Sequence, residues 1–391
     1  MRLRYSVSKR VLSTSITSSS KFSTFEWERR GIEASTTPPS SWYTDPAFLS
    51  KVERKVTFHN WLQVCSIHDI KNDGEYFAAN INNQPIVIVN SQGTYKAFYN
   101  VCRHHAAQIC DNGPGKIGPQ GRFTCPYHGW QYNADGKLVK AIKMKGCQEF
   151  SPKNFGLHPV LVDKLGPWLY INFNKASSGS IVGDHPDLQQ MHDMLSSTDY
   201  ESLVPIERRS YTIKCNWKVF VDNYLDGGYH VPVAHPGLTS ALNMDGYTRK
   251  EFPNFYLQSC GAKKDVESST TSGSTSGDSA RVSGEALYIF QYPNIMINRY
   301  GKWMDTNIVW PLNENECVVD FVWSVDKSLL GDQAKNIQDS LKQSDQVQQE
   351  DVWLCERVQA GLRSDGYDVG RYAPSIEGNL SIFESIYVVI N

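Results

Sequence analysis

The chain has 391 residues, with 39 Lys and Arg against 41 Asp and Glu and a formal net charge of −2. This length predicts two domains with sizeable cores, and so balanced a charge excludes the basic footprint of a nucleic-acid binder. No apolar run approaches the length of a membrane-spanning helix, so a soluble protein with no membrane partner is expected.

Residues 1–25 hold Arg2, Arg4, Lys9, Arg10 and Lys21 ahead of the first acid, Glu26, and Ser and Thr fill much of the rest. An acid-poor, Arg- and Ser-rich start predicts an organelle transit peptide, for the chloroplast stroma or the mitochondrion, with a disordered tail as the alternative. It has no uninterrupted apolar core of the secretory kind. Residues 26–58 follow as an N-terminal arm.

From Asn60 the pattern turns to short strands. Trp61–Val64, Pro85–Val89 and Tyr95–Tyr99 are β-rich runs separated by Asn-Asp-Gly, Asn-Asn and Ser-Gln-Gly turns. Asn133–Gly136 reads as a hairpin turn, and Val160–Val162 and Trp168–Phe173 flank Leu165-Gly166-Pro167 as a further strand pair. These spacings predict an all-β module over 59–174, with Ala176–Ser180 as the linker to a second domain, 175–391.

Inside the module stand two mixed pairs, Cys102-x-His104 and Cys125-x2-His128. Two thiolates and two imidazoles are the ligand set of a Rieske [2Fe–2S] cluster, the thiolates on one iron and the imidazoles on the other. A structural zinc ion also accepts Cys2His2, but zinc modules usually pair like ligands. The string Asn112–Gly121 between the pairs is rich in turn residues and is expected to be a loop. The seven other cysteines (Cys65, Cys110, Cys147, Cys215, Cys260, Cys317 and Cys355) follow no framework spacing, which predicts free thiols in a reducing compartment.

The second half mixes helix and strand. Asp187–Leu195 reads as a short helix, and Trp217, Phe220, Val221 and Tyr224 recur at helical spacing between Cys215 and Tyr229. Residues 267–283 are low-complexity Ser, Thr and Gly, expected as a flexible insertion. Strands are predicted at Leu287–Phe290, Met296–Arg299, Thr306–Trp310 and Cys317–Trp323. A long helix over Ser340–Leu362 and a last strand, Ser385–Ile390, complete the chain. The sum is α+β, an antiparallel sheet backed by helices. In Asp222–His235, His230 and His235 can ligate one metal, and a distant carboxylate would complete a two-His-one-carboxylate face with positions left open. Asp345, Glu350 and Asp351 compete for that place.

On Cys102–Trp130 and Asp222–His235 together, the chain resembles the Rieske non-haem iron oxygenases of the alpha-subunit type. The resemblance implies an all-β Rieske domain followed by an antiparallel-sheet catalytic domain. It implies a cluster on Cys102, His104, Cys125 and His128, and a mononuclear Fe(II) on His230, His235 and Asp351. Against the family pattern, Asn112–Gly121 lengthens the loop between the cluster fingers. Asp226, with Asn223 in the same catalytic segment, matches the family's bridging acid, which joins a metal-ligating His to a cluster His of the neighbouring subunit and so implies a homotrimer or a multiple of one. It stands four residues before His230, where many members have three, and Gly227-Gly228 absorbs the difference. Should Asp226 fail in that role, Asp222 is the fallback.

The runs Asn223–Pro232, Tyr292–Asn294, Met296–Gly301 and Trp303–Asn307 resemble the plant-type choline monooxygenases within that family. What this implies is oxidation of a quaternary ammonium substrate by O2 with electrons from reduced ferredoxin or a ferredoxin-like reductase, choline giving betaine aldehyde hydrate. N-demethylation of glycine betaine, carnitine or a related compound is the rival with the same metals. A non-enzymatic electron carrier would need no second metal, against His230, His235 and Asp351. Trimethylammonium groups bind aromatic cages, and Tyr292, Tyr300, Trp303 and Trp310 are the cage candidates.

Overall fold

Two-residue turns fix the register of the first half. Asn82-Asn83 and Gln92-Gly93 take positive φ, the conformation that tight hairpins require, and Leu165 pairs with Trp168 across Gly166-Pro167. The computed structural model describes residues 31–263, 285–331 and 334–377, so the expected transit peptide, the expected 267–283 insertion and the strand expected at Ser385–Ile390 lie outside the described residues. In chain order the strands are β1 (Leu62–Ser66), β2 (Glu75–Ile81), β3 (Gln84–Ser91), β4 (Thr94–Tyr99), β5 (Gly113–Lys116), β6 (Arg122–Thr124), β7 (Gln131–Asn133), β8 (Leu138–Lys140), β9 (Pro159–Leu165) and β10 (Trp168–Asn172). Seven of them form one sheet, β1-β10-β9-β4-β3-β2-β5, and β6-β7-β8 form a small second one.

The loop expected over Asn112–Gly121 is in part a strand. β5 pairs antiparallel with β2, Pro114 opposite Phe77 and Gly115 opposite Tyr76. An edge tolerates the missing proline N–H. Gly115 gives the Tyr76 ring its space, since a Cβ there would lie 2.3 Å from Tyr76 Cζ. The turn residues were therefore edge-strand residues.

The third sheet, which spans the second half, is antiparallel throughout, in the order β11-β17-β16-β15-β14-β13-β12. Its strands are β11 (Val204–Ile213), β12 (Thr248–Glu251), β13 (Phe255–Gly261), β14 (Glu285–Gln291), β15 (Ile295–Tyr300), β16 (Trp303–Asn313) and β17 (Glu316–Val325). Alternation sends successive side chains to opposite faces. Leu287, Ile289, Ile295, Ile297 and Met304 pack on Trp61, Trp168 and Tyr170 of the first half and on Leu188, Met191 and Leu195 of the Asp187–Ser196 helix. Phe290, Met296, Tyr300, Phe321 and Trp323 face the other way, against the helices Trp217–Leu225 and Ala334–Leu362.

The Trp217–Leu225 helix starts where Asn216 Oδ1 accepts the Lys218 N–H at 3.0 Å. It stops at Asp226, because Gly227 and Gly228 take φ of 75° and 76°. Burial of Trp217, Phe220 and Val221 contributes about 1.5–3 kcal/mol each. The Ala334–Leu362 helix begins six residues before the expected Ser340 and keeps a buried stripe at Leu341, Ser344, Gln348, Cys355, Gln359 and Leu362, near 3.6-residue spacing. All nine cysteines are free thiols. Among the described residues, no helix is long and apolar enough to cross a membrane.

Candidate metal centres and catalytic cavity

The two Cys-His pairs sit on fingers of the same backbone design. Cys102 N–H donates to Ala107 O and Cys125 N–H to Trp130 O, each at 2.8 Å; Ala106 N–H returns to Cys102 O and Gly129 N–H to Cys125 O, each at 3.0 Å. The fifth residue of both turns is left-handed, Ala106 at φ 59° and Gly129 at φ 67°. Cys102 and Cys125 are buried, while His128 is exposed, so the thiols point inward and the imidazoles lie toward the surface. The rings of His104 and His128 stand 4.6 Å apart, and Trp130 stacks flat on His104 at 4.7 Å.

A cluster fits this cradle. His104 Nδ1 is buried without a hydrogen-bond partner, as a nitrogen reserved for a metal would be. Burial, followed by the neighbouring His105 and His128, pushes the His104 imidazole below its ordinary value, which favours the neutral form that ligates. The Tyr132 hydroxyl takes the Arg103 N–H at 3.0 Å and lies 3.3 Å from Cys102 Sγ, near enough to steady a thiolate. Among the described residues, His230, His235 and Asp351 form a group compact enough for one ion.

The triad's donor atoms lie within 4.8 Å of one another. His230 stands at the head of the Val231–Ala234 turn of helix and His235 at its end, where Pro236 opens the next helix. Their rings are 5.1 Å apart and nearly perpendicular. Asp351 Oδ1, from the long helix, lies 3.1 Å from His235 Nε2 and 3.5 Å from His230 Nε2. Both opposite nitrogens are held by carboxylates: His230 Nδ1 meets Asp226 Oδ2 at 2.6 Å, and His235 Nδ1 meets Glu350 Oε2 at 2.7 Å. This fixes each ring with its Nε2 toward the common centre. Burial draws the His235 imidazole down, but Asp351 and Glu350 outweigh it and hold it above its ordinary value. Asp226 also accepts the backbone N–H groups of Gly228, Tyr229 and His230, so the extra residue before His230 is taken up in a capped turn.

The rival carboxylates fall elsewhere. Glu350 faces the outer nitrogen of His235, not the centre. Asp345 lies 3.2 Å from Arg209 Nη1 and accepts the Tyr211 hydroxyl at 2.5 Å. Asp222, the fallback bridging acid, accepts the Tyr43 hydroxyl at 2.8 Å on the far side of its helix; burial outweighs that bond and Lys218 and pushes it up to about 8.

The triad opens on a cavity of about 120 Å³ lined by Asn223, Phe220, Tyr224, Tyr247, Tyr288, Tyr300 and Phe321 among others. Of the four expected cage residues Tyr300 alone lines it. Trp310 is on the opposite face of β16 and packs near Leu62 and Trp217. Trp303 shares the cavity-side face but is buried in the core, and Tyr292 is buried in the turn between β14 and β15. In the sequence Tyr224 and Tyr288 read only as parts of a helix face and a strand, and Tyr247 sits alone among mixed neighbours. Asp305 and Asn307, also in the lining, carried a readable signal: polar residues alternating within the apolar strand β16.

The chain matches the Rieske [2Fe-2S] domain over residues 60–151 and the ring hydroxylating alpha subunit (catalytic domain) over residues 200–389. It is 44% identical over 352 residues to the chloroplastic choline monooxygenase of Arabidopsis thaliana, covering 88% of this chain and 80% of that protein. The chloroplastic choline monooxygenase of Spinacia oleracea is 39% identical over 350 residues, covering 89% of this chain and 76% of that protein. In fold, the chain is similar to a quaternary ammonium Rieske monooxygenase with a TM-score of 0.80 at 22% identity, covering 94% of this chain and 99% of that one. With relatives this similar over most of their length, and a cradle and triad that fit the two metal groups, the chain belongs to the Rieske non-haem iron oxygenases of the alpha-subunit type and is an enzyme that works with a Rieske cluster and a mononuclear iron.

Proposed function

We propose that this enzyme is a ferredoxin-dependent monooxygenase that oxidises choline at its carbinol carbon, releasing betaine aldehyde hydrate. The observation that carries the reading is the His230–His235–Asp351 triad opening on a tyrosine-walled cavity, a suitable seat for a trimethylammonium group. The names of the plant relatives support the same substrate. When bound, a Rieske cluster supplies single electrons and a mononuclear iron with open positions supplies oxygen activation. The chain's own residues do the rest. Cys102, His104, Cys125 and His128 hold the first group, and His230, His235 and Asp351 the second. Asp226 and Glu350 keep the Nδ1 proton on each ligating imidazole, and the tyrosine rings exclude water from the reacting carbon.

The reading assigns 59–174 to the cluster domain and 175–391 to the catalytic domain, with residues 1–25 as a transit peptide directing the enzyme to the chloroplast stroma. The assembly is a homotrimer or a multiple of one. Asp226 accepts the backbone N–H of Tyr229, whose side chain is exposed, and a neighbour's cluster finger, exposed at His128 and Tyr127, would cover it. The test is turnover of the holoenzyme with reduced ferredoxin and O2 on choline and on glycine betaine. Betaine aldehyde from choline is expected; formaldehyde from glycine betaine, with choline untouched, would replace the reading by N-demethylation.

A further inference from the structure

The cavity holds a second carboxylate besides Asp351. Asp305 is 2% exposed and lines the wall across from the triad's helix. Its two oxygens both accept hydrogen bonds, Oδ1 from the Tyr300 hydroxyl and Oδ2 from Asn298 Nδ2 at 2.6 Å. The Asn298 amide is oriented in turn by the Tyr224 hydroxyl, 2.7 Å from its Oδ1. Both oxygens thus meet donors, which fixes the side chain as an acceptor at the tyrosine wall. Among the described residues that line the cavity, none is Lys or Arg. Two further groups in the lining are buried without partners, Asn307 Oδ1 and Gln348 Nε2. Gln348 stands three residues before Asp351 on the same helix, and so on the triad's side.

We infer that Asp305 sets the substrate class, selecting a singly charged quaternary ammonium alcohol over a quaternary ammonium carboxylate. This rests on the choline reading and deepens it. A cation gains from Asp305 in a water-poor cavity, where charge interactions are screened less than in bulk water. An alcohol can donate to Asn307 and accept from Gln348, satisfying both buried amides. A carboxylate can only accept, so it leaves Asn307 Oδ1 without a donor and sets a further acceptor against Asp305. The tyrosine rings alone would take the ammonium head of either compound; the acid makes the difference.

The test is calorimetric binding to anaerobic holoenzyme, where no turnover occurs, with choline, glycine betaine and the neutral choline isostere 3,3-dimethylbutan-1-ol. The parent should bind choline at least ~10-fold more tightly than either of the others, as expected for a desolvated charge pair. Asp305→Asn should bring the choline-to-isostere ratio close to one, and Asp305→Glu should restore it. Gln348→Leu, which leaves Asp305 in place, should weaken choline and the isostere by the same factor and preserve their ratio. An Asp305→Asn protein with the parental ratio overturns the inference while leaving choline as substrate, since the rings would then carry the preference. A parent without preference for choline over its neutral isostere overturns it even if Asp305→Asn does not fold. A parent that binds glycine betaine better than choline overturns the substrate reading itself.

Discussion

Glu350 offers a test of how the second metal site is built. Its Oε2 lies 2.7 Å from His235 Nδ1, while Asp351, the next residue, approaches Nε2 of the same ring at 3.1 Å. Removing the outer carboxylate with Glu350→Ala frees the ring's tautomer and orientation but leaves every metal-facing donor in place. Losing such a partner typically weakens metal binding by ~10–100-fold, or about 1.4–2.7 kcal/mol. The Glu350 side chain is 29% exposed, which screens part of its charge, so the lower half of that range, ~10–30-fold, is expected. Glu350→Gln keeps an acceptor for Nδ1–H and should lose only a few-fold. The assay is an anaerobic Fe(II) titration against a competing chelator, on protein depleted of mononuclear iron but with its cluster absorbance intact. If Glu350→Ala holds iron as tightly as the parent, the outer carboxylate does not orient His235 and the reasoning fails.

Three other outcomes are expected. Asp226→Asn should fill both metal sites yet slow reoxidation of a pre-reduced cluster by at least ~10-fold in single turnover with choline and O2; an unchanged rate would make Asp226 an ordinary turn cap. Cys102→Ser should abolish the Rieske electron-paramagnetic resonance signal, because a hydroxyl is a poor ligand for cluster iron, and survival of the signal would refute the finger assignment. Asp222 is pushed up to about 8, chiefly by burial, so the folded protein holds a proton that the unfolded chain, near 3.9, releases. Its stabilising contribution is complete below about pH 4 and is lost as pH rises through about 8; melting from pH 5 to 9 should therefore fall less steeply in Asp222→Asn, and equal slopes would refute the shift.

What the sequence revealed depended on how local each signal was. The fingers and the His230–His235 segment were legible because their chemistry lies within short stretches, and the hairpins because Asn-Asn and Gln-Gly mark tight turns. The strands β2, β11, β12 and β13 carried no comparable pattern: β11 alternates Arg, Glu and Ser with apolar residues at half-buried positions and reads as surface. The edge strand β5 was hidden because Gly and Pro signal turns equally well. Carboxylate roles could not be separated by spacing, since Glu350 and Asp351 are adjacent and the rotation of about 100° between neighbouring helix residues decides which nitrogen of His235 each meets. Three of the four cage candidates lie off the cavity lining for a similar reason. Aromatic type alone does not say which face of β16 looks into the cavity, and Trp310 is on the wrong one, while Asp305 and Asn307 are on the right one.

The central claim, oxidation of choline at the carbinol carbon, is tested most directly by isotopic position. The holoenzyme, with its cluster reduced, is given one turnover on choline deuterated at the carbinol carbon and, in a parallel arm, on choline deuterated in its N-methyl groups. The first arm should yield betaine aldehyde retaining a single deuterium and a slowed C–H cleavage step. The second should yield fully N-methyl-labelled betaine aldehyde at the unlabelled rate. Deuterated formaldehyde from the second arm, with no betaine aldehyde from the first, would contradict the account.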